Sequence, residues 1–297
     1  MKYQHVLKWL TSIIFLLSLL AASMGLFYET PGEPYSYTNH RGEQVMINGH
    51  GLYYYDTVSS AAQMQGNDLI TLIVALPLLV ISAWLAFRGS IRGRLLLTGT
   101  LGFFLYTYMS MSMLTSFNAL FLVYVALFSI SLFAFMLSMM SFDLSTLPHH
   151  FSERLPRGWI AGLMFFVSTF LSLAWISRVI APFVNDTIPV LENTTTLVIQ
   201  AMDLGLILPL AMLSGILLLR RSAWGYLLSS VTLMKGITMG LGVSAMGINM
   251  ALKGVPDRLG ILIPFLLITL LNLIMAVLLL KNIAVQTGKD LIMKRIA

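Results

Sequence analysis

QAMDLGLILPLAMLSGILLLRRSAWGYLLSSVTLMKGITMGLG, residues 200–242, is two long apolar segments joined at a basic turn, and each carries one charge where a hydrocarbon-spanning helix should carry none: Asp203 and Lys235. Each segment is long enough to cross roughly 30 Å of hydrocarbon as a helix. The short turn at 221–223 makes them an antiparallel hairpin and therefore neighbours. Lys235 falls near the middle of its segment, and by helix rise Asp203 lies about 8 Å to the outer side of that level, within reach of a snorkelling lysine stem. A charge at the bilayer centre costs at least about 2.5–3.5 kcal/mol on insertion scales, and pairing is the usual remedy. An ion pair or shared-proton pair between Asp203 and Lys235 is expected.

The same pattern extends along the whole chain. In 297 residues, 58% are hydrophobic and 10% charged; a soluble domain of this size would be about one-quarter charged. Eight segments qualify as spans, at 8–27, 68–87, 94–115, 117–140, 158–180, 198–219, 224–246 and 259–280. Spans three and four are almost continuous, so a tight helical hairpin is needed at 115–118. The fold class read from this is all-α: a polytopic membrane protein of eight transmembrane helices.

Lysines and arginines set the orientation. Thirteen lie on one side of the eight-span arrangement, whereas Arg41, Lys253 and Arg258 lie on the other. By the positive-inside rule both termini are cytoplasmic, in what is read as a bacterial inner membrane. The net charge of +6 is accounted for by these loops, and nucleic acid is not an expected partner. The first span, with a basic start and small residues Ala21, Ala22 and Ser23, also fits a signal sequence. A counterpart in span five argues for a retained helix: Trp9, Phe15 and Ser18 match Trp159, Phe165 and Ser168 at one constant offset.

That match is part of a wider one, read as two parallel four-helix repeats. Gln65 and Asp68 precede Gln200 and Asp203 by 135 residues; after a slip of three, Pro77, Arg88, Ser90, Gly93 and Thr100 precede Pro209, Arg220, Ser222, Gly225 and Thr232 by 132. The division expected is 1–140 for the first repeat, 141–157 for a cytoplasmic linker and 158–297 for the second repeat. Lys235 corresponds to Phe103, so only the second repeat carries a lysine.

The loop at 28–67 is the one sizeable element outside the spans. Alternating runs at 35–38 and 44–47 around Arg41-Gly42 predict a small β-hairpin. Asp56 is a plausible N-cap for a helical piece at 57–65 running into Asp68, and the loop is a candidate lid over the outer face. Gly236 and Gly240, extended by Ser244, form a small-residue face suited to close helix packing.

Composition excludes several chemistries. With no cysteine, thiol redox chemistry and thiolate metal sites are absent. The five histidines all fall outside the spans, so haem held between membrane helices is excluded. No cofactor or metal is expected, and no P-loop, HExxH or GxSxG motif is present.

The candidate site is a polar stripe within the bundle. Thr232, Lys235, Thr238 and Gly242 share a face of span seven; Gln200, Asp203 and Ser214 share one of span six; Gln65, Asp68, Thr71 and Ser82 share one of span two. Pro77 and Pro209 would free carbonyls at Ile73 and Gly205. If the repeats share an axis, Asp68 and Asp203 both approach Lys235. The ligand- or proton-binding set is thus Asp68, Asp203, Lys235, Gln65, Gln200, Thr232 and Thr238. It supports a small transporter or permease handling an unidentified small molecule or ion. The alternative is a non-catalytic assembly, sensing or scaffold protein in which Asp203 and Lys235 are a structural clasp. An enzyme is the least expected class, for want of a nucleophile. The lipid bilayer is the one partner the sequence specifies; oligomeric state and protein partners stay open.

Overall fold

The structure, a computed structural model, describes residues 1–255 and 259–283. Its helices are α1 (Gln4–Phe27), α2 (Val58–Ile70), α3 (Leu76–Phe87), α4 (Ile91–Leu114), α5 (Phe121–Met140), α6 (Arg157–Asn185), α7 (Val198–Met202), α8 (Leu208–Leu219), α9 (Ala223–Leu252) and α10 (Leu259–Lys281). A π-helical turn at Thr71–Ala75 joins α2 to α3, and another at Asp203–Ile207 joins α7 to α8, making one rod of each pair.

Among the described residues, seven helices are long and apolar enough to cross a membrane. α4, with 24 residues, is not one of them, because threonine, glycine, tyrosine and serine dilute its apolar content. Its position explains that composition: 15 of the 24 residues are buried, so its polar groups face protein. Gly99 on α4 lets Met234 of α9 approach closely, which brings the two central helices together where the halves of the chain meet.

The π turns have a local cause. Pro77 and Pro209 stand just after them and have no N–H to return to Ile73 and Gly205. The helix widens by one residue upstream, and the Leu76 and Leu208 amides donate instead to Thr71 and Asp203. The two groups of elements have equal lengths, and every bound from Thr71 to the start of α4 recurs 132 positions later, from Asp203 to the start of α9. At this offset Asp203 stands where Thr71 does, at the first position of its π turn.

At the end of the bundle opposite the linker, strands β1 (Tyr35–Thr38) and β2 (Gln44–Ile47) pair antiparallel, Tyr35 opposite Ile47 and Thr38 opposite Gln44, with the bounds the alternation predicts. α2 begins at Val58, where the helical piece expected at 57–65 leads into the span. Its N-cap is Thr57, whose hydroxyl accepts the Ser60 amide; Asp56, expected in that role, turns toward the α4–α5 turn, accepting the Ser116 amide at 3.1 Å and the Ser60 hydroxyl. The hairpin at 115–118 is also looser than expected, since α5 starts only at Phe121.

The linker is part of the core. Phe142, Leu147, Phe151 and Leu155 are buried with Ile160, Leu227 and Leu279. Arg94 donates to the Ser141 carbonyl, Arg92 to that of Ile283, and the Ser152 amide to that of Asn282. This closes the bundle at the linker end.

Candidate functional site

The two intramembrane acids have separate surroundings. Asp203, at the first position of the second π turn, accepts Tyr106 Oη at 2.7 Å on one oxygen and Trp175 Nε1 at 2.9 Å on the other. Tyr106 comes from α4 and Trp175 from α6. The Lys235 ammonium, from α9, sits 4.1 Å from the centroid of the Tyr106 ring, in a cation–π arrangement. No ion pair within 4 Å joins Lys235 to Asp203 among the described residues. The expected direct pair is therefore replaced by a relay in which Tyr106 meets the cation with its face and the carboxylate with its hydroxyl. The phenol can do this because its ring face is electron-rich and its O–H is a donor, so the carboxylate gains a hydrogen bond while the ammonium keeps its own hydrogen-bonding capacity.

Asp68 takes no part in this arrangement. Its side chain is buried on the other side of α2, accepting Tyr53 Oη at 2.6 Å. Gly25 of α1 makes room for it: a Cβ there would overlap the carboxylate and lie 2.7 Å from Tyr53 Oη. The triad of two carboxylates around one lysine is not assembled, because α2 turns Asp68 toward α1 and the hairpin loop, away from α9.

Around Asp203 and Lys235 lies a cavity of about 440 Å3 between α2 and α4 on one side and α6, α7, α8, α9 and α10 on the other. Of the expected residues, Gln200 and Thr232 line it with Asp203 and Lys235. Thr238 does not: its hydroxyl turns back to the Lys235 and Met234 carbonyls. Gln65 lines a second pocket of about 440 Å3 at the hairpin end, with Glu29, His50, Asn249 and Lys253. The small-residue face of α9 is covered by α10, with Gly236 against Asn272 and Gly240 against Thr269.

At the hairpin end the cavity is bounded by residues 191–194, and the first loop grips this segment. Arg41 donates to the Thr194 and Thr195 carbonyls, each at 3.1 Å, and Asn39 to the Glu192 carbonyl at 2.7 Å. Thr57 donates to the Glu192 carboxylate, and Asn193 to the Tyr55 carbonyl.

Asp56 lies beneath this clasp. Burial pushes its carboxyl up to about 6, helped by the nearby charge of Glu192 and opposed by the donors on Oδ1; Oδ2 is buried with no partner. A raised carboxyl binds its proton more tightly folded than unfolded. The contribution of Asp56 to stability is therefore greatest below about pH 4, falls as pH rises toward about 6 and then levels, by on the order of 3 kcal/mol. Unfolding curves of the wild type should show this slope, and those of Asp56→Asn should lack it; parallel pH profiles would refute the assignment.

Tyr106 and Trp175 are the site residues that sequence reasoning missed. The available signal was a polar-tipped aromatic inside an apolar span, which needs an acceptor at its own depth. Compared with family models, curated proteins and solved structures, the chain matches none.

Proposed function

We propose that the protein is a small transporter of the permease type, which takes a small molecule into the cavity at Asp203, Tyr106 and Lys235. The observation that carries this reading is the cavity itself, which reaches both charged groups between the two halves of the chain. In this proposal α4 is the eighth span, buried as the centre of the bundle, and both termini are cytoplasmic in a bacterial inner membrane, so the hairpin end faces outward. The halves are two parallel four-helix repeats. The recurrence of the π turns, of the helices after them and of the contacts of Gly93 with Leu85 and Ala86 in those of Gly225 with Leu217 and Leu218 supports this duplication. Kinked, π-bulged helices beside a site at the repeat interface are a common transporter arrangement.

A second reading, a non-catalytic assembly or sensing protein, is favoured by the clasp of Asn39 and Arg41 on residues 192–195. It makes the outer surface, and not Lys235, the sensitive region.

The native chain lacks cysteine, so introduced thiols report cleanly. Met239→Cys lines the cavity, and a membrane-impermeant thiol reagent is expected to label it from the outside and, after turnover, from the cytoplasm. Ser82→Cys, fully buried, should stay unlabelled. Labelling of Met239→Cys from one side only, under every condition tried, excludes transport.

A further inference from the structure

The chemistry around Lys235 points to the class of molecule bound, an inference that rests on the cavity being the site proposed above. Hydrogen-bonding capacity there is lopsided. Both oxygens of Asp203 already accept a donor. Lys235 Nζ, in contrast, donates no hydrogen bond among the described residues, and its contact is with a ring face. Thr107 lines the same cavity and is 4% exposed, and its buried hydroxyl has no partner among the described residues. The neutral side chains of Asn67, Ser110 and Gln200 also line the cavity and can donate or accept, so the group that selects charge is the Lys235 ammonium, and what completes an ammonium away from water is an anionic oxygen.

Beyond polar positions such as Asn67, Ser110, Gln200 and Asn272, one side of the wall is apolar. From Lys235, the residues Met239, Val243, Met246 and Met250 continue along one face of α9 at steps of four, four, three and four, and all line the cavity. Helix rise makes this stripe about 22 Å long from Lys235 to Met250. Methionine's flexible thioether adapts to varied apolar shapes. We infer that the cavity binds a hydrophobic organic acid, its single carboxylate-type anion on Lys235 and its apolar body along the methionine stripe toward the capping segment.

The test uses the full chain purified in a non-ionic detergent, with equilibrium binding of decanoate, decanol, decylamine and acetate. Decanoate is expected to bind, and each of the other three at least about tenfold more weakly. Lys235→Met should lose decanoate binding by at least about tenfold while Lys235→Arg retains it, and Thr107→Val should weaken it severalfold. Unchanged unfolding curves for these variants separate loss of binding from loss of fold. If Lys235→Met unfolds, Lys235→Gln and the ligand series on the wild type carry the test. Equal binding of decanol shows an apolar pocket without anion selection and overturns the inference; tighter binding of decylamine reverses its sign and overturns it too. Acetate binding as well as decanoate overturns the apolar body. Selective decanoate binding with Met239→Cys reachable from one side only supports the ligand class while removing transport; two-sided labelling without decanoate binding removes the ligand class alone.

Discussion

Gly225→Ala is expected to destabilise the fold by about 3 kcal/mol or more, at the upper end of what overpacking does. Gly225 is in the first turn of α9, directly against the end of α8. A Cβ there would overlap the Leu217 carbonyl group and the Leu218 nitrogen. These are backbone atoms, fixed by the helix and by the turn in which the Ser222 amide donates to the Leu217 carbonyl at 3.0 Å. No rotamer change relieves the overlap; the helices must separate. Gly93 stands at the corresponding place in the first half, where a Cβ would meet Leu85 Cβ and the Ala86 nitrogen, and the Ser90 amide donates to Leu85 at 3.1 Å. Gly93→Ala should show a loss of similar size. Thermal unfolding in detergent measures both. A loss below about 0.5 kcal/mol at either position would contradict the close approach, and a large difference between the two would weaken the proposed duplication.

The second large effect is expected at Gly25. Alanine there must displace the Asp68 carboxylate from its 2.6 Å contact with Tyr53. That leaves a buried hydroxyl without an acceptor, costing about 1–3 kcal/mol, and adds the strain of a displaced side chain. A total of about 2–4 kcal/mol is expected. The cause can be isolated by a double-mutant cycle: with Asp68→Ala already present, Gly25→Ala has no carboxylate to displace, so its cost should fall by at least about 1 kcal/mol. Additive losses would mean that Gly25 acts through something other than Asp68. Because Asp68 lies outside the cavity, ligand binding per folded molecule should not change.

These two effects, with the Lys235 relay, divide the intramembrane polar groups by task. Asp68 is a closed structural contact between the hairpin loop and the first helices. Asp203 and Lys235 line a cavity, with Tyr106 between them.

What the sequence determined by itself is local. Apolar runs established helices suited to a membrane, because hydropathy sums over neighbours in the chain. Alternation gave the bounds of both strands, and the basic turn at 221–223 gave the α8–α9 hairpin. The polar face of span seven was legible for the same reason, since helical periodicity places Thr232 and Lys235 together. What only the tertiary structure decided is which face meets which helix. Tyr106 lies 97 residues from Asp203 and Trp175 lies 28 residues away, and nothing in either local pattern states the rotation of α4 or α6 about its axis. The same ignorance of rotation placed Asp68 beside Lys235 on paper, whereas packing of α2 against α1, through the space left at Gly25, turns it away. Periodicity assigns a residue to a face; the packing of side chains across helices assigns that face its partner.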